Sequence, residues 1–211
     1  MTEYLKTTIE KYTAEILPFF SKEITCAKDE LLVLEKFKML LEEKGQSCFE
    51  RTCYPAHITG SSIVLNKSLD KIILTHHKKL NKWLQLGGHS DGDCMPPRVS
   101  LREAHEESGI SEGDLSLINP ISGENSSLEA CLPLDFDIHE IPARKSEPKH
   151  YHYDVRYLIL AKSDRIKISD ESNDLQWFAF DDVKEHTEEI STLRQVEKVK
   201  EILAQGKILN A

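Results

Sequence analysis

The sequence predicts an α/β (α+β) fold in which a mixed β-sheet is sandwiched between helices, with a helical extension at the N-terminus. Residues 58–65 and 71–76 are rich in β-branched side chains and flank a turn, which predicts a β-hairpin. Residues 151–161 begin with alternating side-chain types and predict another strand. Because a helix pattern at 97–108 lies between these strands, we expect helices and strands to share one unit.

The N-terminal helical extension is predicted to span residues 1–56, and the sheet-containing domain residues 57–205. Thr2 is the expected cap of a first helix. A second helix is expected at 29–44, where Gly45 provides a stop. The remaining elements are predicted as strands at 83–86 and 175–180 and a helix at 193–203, with residues 111–150 rich in turns and containing short extended pieces.

The composition limits the classes of partner. A formal net charge of −9 argues against nucleic-acid polymers, because proteins that bind them neutralise phosphates with lysine and arginine. It also argues against anionic membranes, and the first residues lack the apolar stretch of a leader peptide. The odd number of cysteines, five, favours free thiols, although Cys48 and Cys53 could pair. We therefore expect a cytoplasmic protein. A small phosphorylated substrate remains compatible with the negative charge if a divalent cation supplies the missing positive charge.

Three glutamates of the helix predicted at 97–108 lie on one face, within an arc of about 100°: Glu103, Glu106 and Glu107. Because like charges at these spacings repel, a divalent cation with oxygen ligands would stabilise this face. Arg102 is expected to pair with Glu106, one turn away. A solvated acidic face is the alternative, but the preceding pair Gly87-Gly88 favours a metal site, because glycine lets the backbone approach a ligand.

The segment from Gly88 to Ile110 resembles the Nudix box, the signature of the Nudix hydrolase family. The residues in register with that signature are Gly88, Arg102, Glu103, Glu106, Glu107, Gly109 and Ile110. One position departs from it, because Cys94 stands where the family has a glutamate and the nearest carboxylate, Asp93, lies one residue early. The similarity extends over about residues 57–183, to a bacterial subgroup of the family whose substrate is poorly defined.

The resemblance implies a Nudix fold and a hydrolase acting on acid anhydrides in phosphorus-containing substrates. Such an enzyme would use Mg²⁺ or Mn²⁺ to cleave the diphosphate bond of a small nucleoside diphosphate-linked substrate, such as ADP-ribose or a nucleotide sugar. The resemblance also implies the catalytic centre, which is Arg102, Glu103, Glu106 and Glu107, and the metal ligands, which are those glutamates and the carbonyl of Gly88. Glu103 or Glu107 would act as the base.

Substrate contacts are expected from four residues outside the motif: Arg144, His152, Asp154 and Arg156. The last three share one face of the strand at 151–161, which predicts either contact with a cleft or a structural network between Asp154 and Arg156. Arg144 belongs to a basic loop with Lys145, which either binds a phosphate or is solvated.

Three histidines near the glycine pair, His76, His77 and His89, form a poor zinc site by sequence. His76 and His77 are adjacent, and adjacent side chains of a strand point to opposite faces. We therefore do not expect these three to share one ion.

Two other functions fit parts of the sequence. Cys94 in place of a glutamate fits a Nudix-fold nucleotide-binding or regulatory module with weak catalysis. The histidine after the glycine pair fits an enzyme similar to isopentenyl diphosphate isomerase, although the intact Arg-Glu-x-x-Glu-Glu run favours hydrolysis. The N-terminal helices also suggest a possible homodimer.

Overall fold

A mixed sheet of eight strands forms the centre of the computed structural model, which describes residues 2–21, 27–144 and 147–208. The strands are β1 (Ala56–Leu65), β2 (Lys71–His77), β3 (Lys82–Leu84), β4 (Leu86–His89), β5 (Leu115–Ile118), β6 (Asp135–Ile141), β7 (His150–Ala161) and β8 (Ser172–Ala179). The helices are α1 (Glu3–Lys11), α2 (Ala27–Lys44), α3 (Pro96–Ser108), α4 (Val183–His186) and α5 (Ile190–Ala204). The predicted fold, a mixed sheet with helices and an N-terminal helical segment, is confirmed.

The two central strands, β1 and β7, run parallel over ten residue pairs, from Ala56 opposite Tyr151 to Leu65 opposite Leu160. Every residue of β1 is buried. On its other side β1 pairs with β4 and, at its end, with β2, which continues to β3 and β8. The first half of β7 pairs with β6 and the second half with β5. The sheet therefore depends on contacts between segments far apart in the sequence.

The N-terminal helices share the hydrophobic core of the sheet. Tyr12 lies in a π-helical turn after α1, and its ring packs edge-to-face on Phe136 of β6 at 4.9 Å. Phe37 of α2 packs on the same ring at 5.0 Å and on Tyr153 of β7 at 5.0 Å. Aromatic pairs of this geometry favour one fixed arrangement. The extension is thus packed against the sheet, and the boundary after residue 56 stays a prediction.

The outer surface of α2 carries apolar side chains: Leu31, Leu32 and Met39 are exposed. The possible homodimer through the N-terminal helices stays a prediction.

Several elements differ from those predicted. One strand is expected at 83–86, but the structure has two: β3 ends just before Gln85, and β4 begins just after it. Within 111–150, where short extended pieces are expected, the structure has the strands β5 and β6. The bounds of β6 are not evident from the sequence, because Asp135 and Asp137 are acidic and are paired with cations from other elements. Thr2 stands at the start of α1 without a side-chain capping bond, whereas Gly45 adopts the positive φ expected of a helix stop, 55°.

A buried ion cluster joins the N-terminal helices, β6 and α5. The Lys198 ammonium lies 2.7 Å from the carboxylate of Asp135 and 2.9 Å from that of Glu30. It also donates to the hydroxyl of Tyr12, at 2.9 Å. Arg194, one turn earlier in α5, contacts Asp135 at 2.6 Å. Although burial alone would raise the pKa of Asp135, Lys198 and Arg194 lower it below its usual value. Charges buried this deeply are tolerated because they are paired.

Four cysteines lie in the described ranges, and all are free thiols: Cys48, Cys53, Cys94 and Cys131. Cys26 lies outside those ranges. None of the helices described by the structure has the length and apolarity required to cross a bilayer.

We expect Lys198→Met to lower the free energy of unfolding by about 3–5 kcal/mol, because it leaves buried carboxylates without one of their cations. Urea denaturation measures this change. The matched control is Lys38→Met, which removes an exposed lysine paired with Glu35 at 2.9 Å and should cost about 0.5 kcal/mol or less. Equal losses in the two variants would show that the buried cluster contributes no more than a surface pair.

Candidate active site

The acidic helix α3 lies directly on β1 and β4. Its start approaches the backbone of Gly60 so closely that an added Cβ there would lie 2.9 Å from both the Pro96 carbonyl oxygen and the Val99 Cβ. Ala104 and Ser108 are buried on the same side of the helix. The helix begins with two prolines and ends at Gly109, whose φ of 67° is the left-handed stop that the sequence predicts. This packing fixes the side of α3 that faces the Gly87-Gly88 strand.

Glu107 is the most buried carboxylate of the motif, with 7% of its surface exposed. Its Oε2 accepts a hydrogen bond from the backbone N–H of Gly87 at 2.9 Å. Burial raises the pKa of Glu107 to about 8, against the opposing effect of the Gly87 hydrogen bond. The negative charges of Glu103, Glu171 and Glu106 raise it further. A carboxylate in these surroundings is stabilised by a nearby cation.

Glu103 faces Gly88 on the neighbouring strand. An added Cβ at Gly88 would lie 2.6 Å from the carboxylate of Glu103, so that only glycine leaves room for it. Burial raises the pKa of Glu103, while Arg102 acts in the opposite direction. The expected pairing of Arg102 with Glu106 is wrong: its guanidinium donates to Glu103 at 2.7 Å and to the carbonyl of His89 at 2.7 Å. Arg102 therefore connects the helix to the end of β4.

The donor set fits a hard divalent cation. Carboxylate and carbonyl oxygens are the ligands that Mg²⁺ and Mn²⁺ prefer. The absence of a side chain at Gly88 lets the Glu103 carboxylate lie against the backbone there, and Glu107 is a desolvated carboxylate whose strongest charged neighbours are negative. Glu106 is exposed at the rim. Among the described residues, the glutamate oxygens do not come within 4.8 Å of one another as a set of three, so a bound ion requires a side-chain adjustment.

Solved structures of known proteins share this fold. A hydrolase of the Nudix family from Clostridium perfringens is 28% identical, with a TM-score of 0.53 over 68% of this chain and 96% of that one. An Ap4A hydrolase from C. elegans is 14% identical, with a TM-score of 0.54 over 70% of this chain and 98% of that one. The dihydroneopterin triphosphate pyrophosphohydrolase of E. coli is 14% identical, with a TM-score of 0.51 over 67% of this chain and 92% of that one.

Neither a scan of family models nor a search of curated proteins gives a match. The chain has the fold of the Nudix hydrolases and is similar to the C. perfringens member of that family, with the Nudix motif in register on α3. Hydrolases of this kind act on anhydride bonds in phosphorus-containing compounds.

The departure from the Nudix box, Cys94 in place of a glutamate, lies in the loop before α3. Asp93, the nearest carboxylate, accepts two hydrogen bonds from Arg98 at 2.6 Å and one from the Met95 N–H at 2.9 Å. Cys94 is buried, and burial raises the pKa of its thiol. Asp93 therefore stabilises the start of the helix, and Cys94 is a neutral thiol at the position of the family glutamate.

Two of the residues expected to contact substrate, Asp154 and Arg156, are buried in a network. The Arg156 guanidinium, 2% exposed, donates to Asp154 at 2.7 Å and to Asp137 at 3.1 Å. Asp154 also accepts hydrogen bonds from the hydroxyls of Thr59 at 2.9 Å and Ser61 at 2.7 Å. Of the two alternatives that the sequence left open, these contacts form the structural network, which joins β1, β6 and β7.

The other two residues expected to contact substrate, Arg144 and His152, lie outside this network. Arg144 is exposed and forms backbone hydrogen bonds with Glu147, and its neighbour Lys145 lies outside the described residues. His152 lies beside His57 and His89, the residue that follows Gly88.

Sequence reasoning missed this group of histidines. It grouped His89 with His76 and His77, but His76 contacts Trp83, and the ligand atoms of His89 lie within 4.8 Å of those of His57 and His152. The signal that could have found the group is the strand pattern itself, since His57 and His152 stand near the starts of two strands that pair.

We expect Gly88→Ala to abolish stabilisation by Mg²⁺, because the new methyl group occupies the space of the Glu103 carboxylate. Stability without metal should change by about 1 kcal/mol or less, since the end of that side chain can move. Thermal unfolding with and without MgCl₂ measures both effects. Gly113→Ala, where the nearest atom is 4.0 Å from an added Cβ, is the control and keeps the response. An unchanged Mg²⁺ response in Gly88→Ala contradicts this assignment.

We expect Glu107→Gln to stabilise the metal-free protein at high pH. The pKa of Glu107 is about 8 in the folded state and about 4.5 in the unfolded chain, so the folded state holds the extra proton between these values. Wild-type stability therefore falls as the pH rises through this window, and the glutamine variant lacks this loss. In EDTA, the advantage of the variant should be about 1 kcal/mol at pH 5 and on the order of 3–5 kcal/mol at pH 8.

Denaturation curves at the two pH values measure this difference. Added Mg²⁺ should reverse it, because the ion stabilises only the wild-type carboxylate. A difference that does not depend on pH would mean that Glu107 is ionised in the folded protein without metal.

Proposed function

We propose that this protein is a Mg²⁺- or Mn²⁺-dependent pyrophosphohydrolase that cleaves the diphosphate bond of a small nucleoside diphosphate-linked substrate, such as ADP-ribose or a nucleotide sugar. One observation carries the proposal: the Glu107 carboxylate is buried against the Gly87 N–H, and the Glu103 carboxylate lies against the neighbouring Gly88. An arrangement that concentrates negative charge beside a glycine strand is costly unless a cation neutralises it.

The charge of the substrate leads to the same requirement. A diphosphate is an anion, and the chain has a formal net charge of −9. When bound, Mg²⁺ or Mn²⁺ would supply the positive charge that neutralises the phosphate oxygens and makes the phosphorus more electrophilic toward water. We assign Glu103, Glu106, Glu107 and the carbonyl of Gly88 as the groups that hold the ion.

The protein residues have separable roles. Arg102 holds the Glu103 carboxylate and the His89 carbonyl together, and so positions the helix against the loop. Glu103 or Glu107 takes the proton of the attacking water. Both have pKa values raised by burial, which makes each carboxylate a stronger base than a solvated one. Phosphate leaves with the group attached to it.

Glu171 is a further carboxylate at this site. It is exposed in the turn before β8, and its charge raises the pKa of both Glu103 and Glu107. Its carbonyl accepts a hydrogen bond from the Lys78 N–H at 3.1 Å, which links this turn to the end of β2. We assign Glu171 as an additional ligand at the open side of the site.

The proposal predicts that Glu107→Gln lowers kcat by about 100-fold or more, because it removes a carboxylate that no other group replaces. A panel of nucleoside diphosphate sugars, ADP-ribose, dinucleoside polyphosphates and nucleoside triphosphates with Mg²⁺ or Mn²⁺ supplies the substrate, and released phosphate products are measured. The matched control is Glu112→Gln, an exposed glutamate just after α3, which should keep wild-type turnover. Full turnover in Glu107→Gln would refute the assignment of the site.

A second candidate function is a nucleotide-binding or regulatory module with weak catalysis. It is favoured by Cys94 at the family glutamate position and by the attachment of Asp93 to Arg98. This candidate predicts that nucleotides bind while no compound of the panel is hydrolysed. Cys94→Glu separates the causes: if the variant gains turnover, the missing carboxylate had suppressed catalysis in a complete site.

A further inference from the structure

Five histidines gather at one end of the sheet, beside the glycine loop: His57, His89, His139, His150 and His152. The strand register causes this grouping. His57 of β1 is directly opposite His152 of β7, and His139 of β6 is opposite His152 on its other side. Directly opposite residues of neighbouring strands project from the same face, with Cβ atoms about 5 Å apart. Three strands thus contribute one row of imidazoles.

Three of these rings converge on one point. The ligand nitrogens of His57, His89 and His152 all lie within 4.8 Å of one another. The ring centroids are 5.2 Å apart for His57 and His89, 4.9 Å for His57 and His152, and 5.0 Å for His89 and His152. Nitrogens bound to one tetrahedral Zn²⁺, each about 2.0–2.1 Å from the metal, are about 3.3 Å apart. Small rotations of the three rings would bring their nitrogens from within 4.8 Å of one another to the spacing that a bound zinc ion requires.

Two ring nitrogens of the cluster have no hydrogen-bond partner among the described residues and are available to bind a metal. The Nδ1 of His57 lies 3.4 Å from the carbonyl oxygen of Cys53, so this nitrogen carries the proton and the Nε2 presents its lone pair. His57 is 1% exposed, and its Nε2 is buried without a hydrogen-bond partner among the described residues. The Nε2 of His152 is likewise buried without a hydrogen-bond partner among the described residues. Two buried, unpartnered ring nitrogens side by side are unfavourable unless a ligand satisfies them.

We infer that His57, His89 and His152 form a transition-metal site, with Zn²⁺ as the fitting ion, separate from the glutamate site on α3. Imidazole nitrogens suit zinc, whereas Mg²⁺ prefers oxygen ligands, so the two sites select different ions. Three protein ligands leave a fourth coordination position for water or for an anionic ligand atom. The ring of His150 lies 5.0 Å from that of His57, beside the three proposed ligands. The inference stands whether or not the glutamate site is catalytic.

Metal uptake tests the inference without any assay of activity. The purified full-length protein is stripped with a chelator, and Zn²⁺ alone or Co²⁺ alone is added. We expect one Zn²⁺ per chain that remains bound through gel filtration in excess Mg²⁺, and a Co²⁺ absorption spectrum of tetrahedral nitrogen coordination. Histidine NMR of the wild-type chain should show that the Nε2 signals of His57 and His152 shift when Zn²⁺ is added.

Variants locate the ion. His57→Asn and His152→Asn should each weaken Zn²⁺ binding at least tenfold, with folding checked by circular dichroism. The matched control is His186→Asn, an exposed histidine beside Phe178, which should bind Zn²⁺ like the wild type. Glu107→Gln should also keep the zinc, which separates this site from the proposed hydrolase site.

Two results would overturn the inference: a wild-type chain that takes up no Zn²⁺, or zinc binding accompanied by unshifted imidazole signals of His57 and His152. Either result would leave the proposed hydrolase unaffected, because that function depends on the glutamates of α3. The histidines would then be neutral rings that pack the end of the sheet.

Discussion

The parallel pairing of β1 with β7 is the constraint on which the rest of the structure depends. It joins two distant segments over ten consecutive residue pairs, and it is reinforced where Asp154 accepts hydrogen bonds from Thr59 and Ser61 across the two strands. Because β1 is fixed in this way, β4 can pair along its other side and place Gly88 opposite Gly60. The close approach of α3 to Gly60 then directs the glutamates toward Gly88. A shift of one residue in β1 would separate these parts and turn its side chains to the other face of the sheet.

Buried carboxylates have two opposite environments in this fold, one that lowers their pKa and one that raises it. Around Asp135 and Asp137, cations from β7 and α5 overcome the effect of burial, and the pKa values of both carboxyls fall below their usual range. At Glu107, burial and neighbouring carboxylates act together and raise the pKa to about 8. The first arrangement is complete within the protein and stabilises the fold. The second is incomplete without a cation, and this difference separates the structural network from the candidate catalytic site.

The parts of the fold that could be predicted are those with a strong local pattern. The hairpin of β1 and β2, the strand β7 and the helix α3 with its left-handed stop at Gly109 follow from side-chain periodicity and turn residues. The bounds of β6 could not be predicted beyond short extended pieces in 111–150, because its charged residues are compatible with a buried strand only once Arg156 and Arg194 are placed beside them. The pairing of Arg102 failed for a related reason, since the helix alone does not show that the loop carbonyl of His89 lies within reach.

The sequence by itself determined the chemistry of the motif: an arginine and three glutamates spaced along one helix, preceded by a glycine pair and interrupted by Cys94. Helical geometry is local, so the spacing of these residues is enough to place them on one element. Only the tertiary structure decided which carboxylate is buried, that Asp154 and Arg156 belong to a structural network, and that His57, His89 and His152 meet. These features arise between strands that are remote in the chain, and their pairing register cannot be derived from the spacing within any one of them.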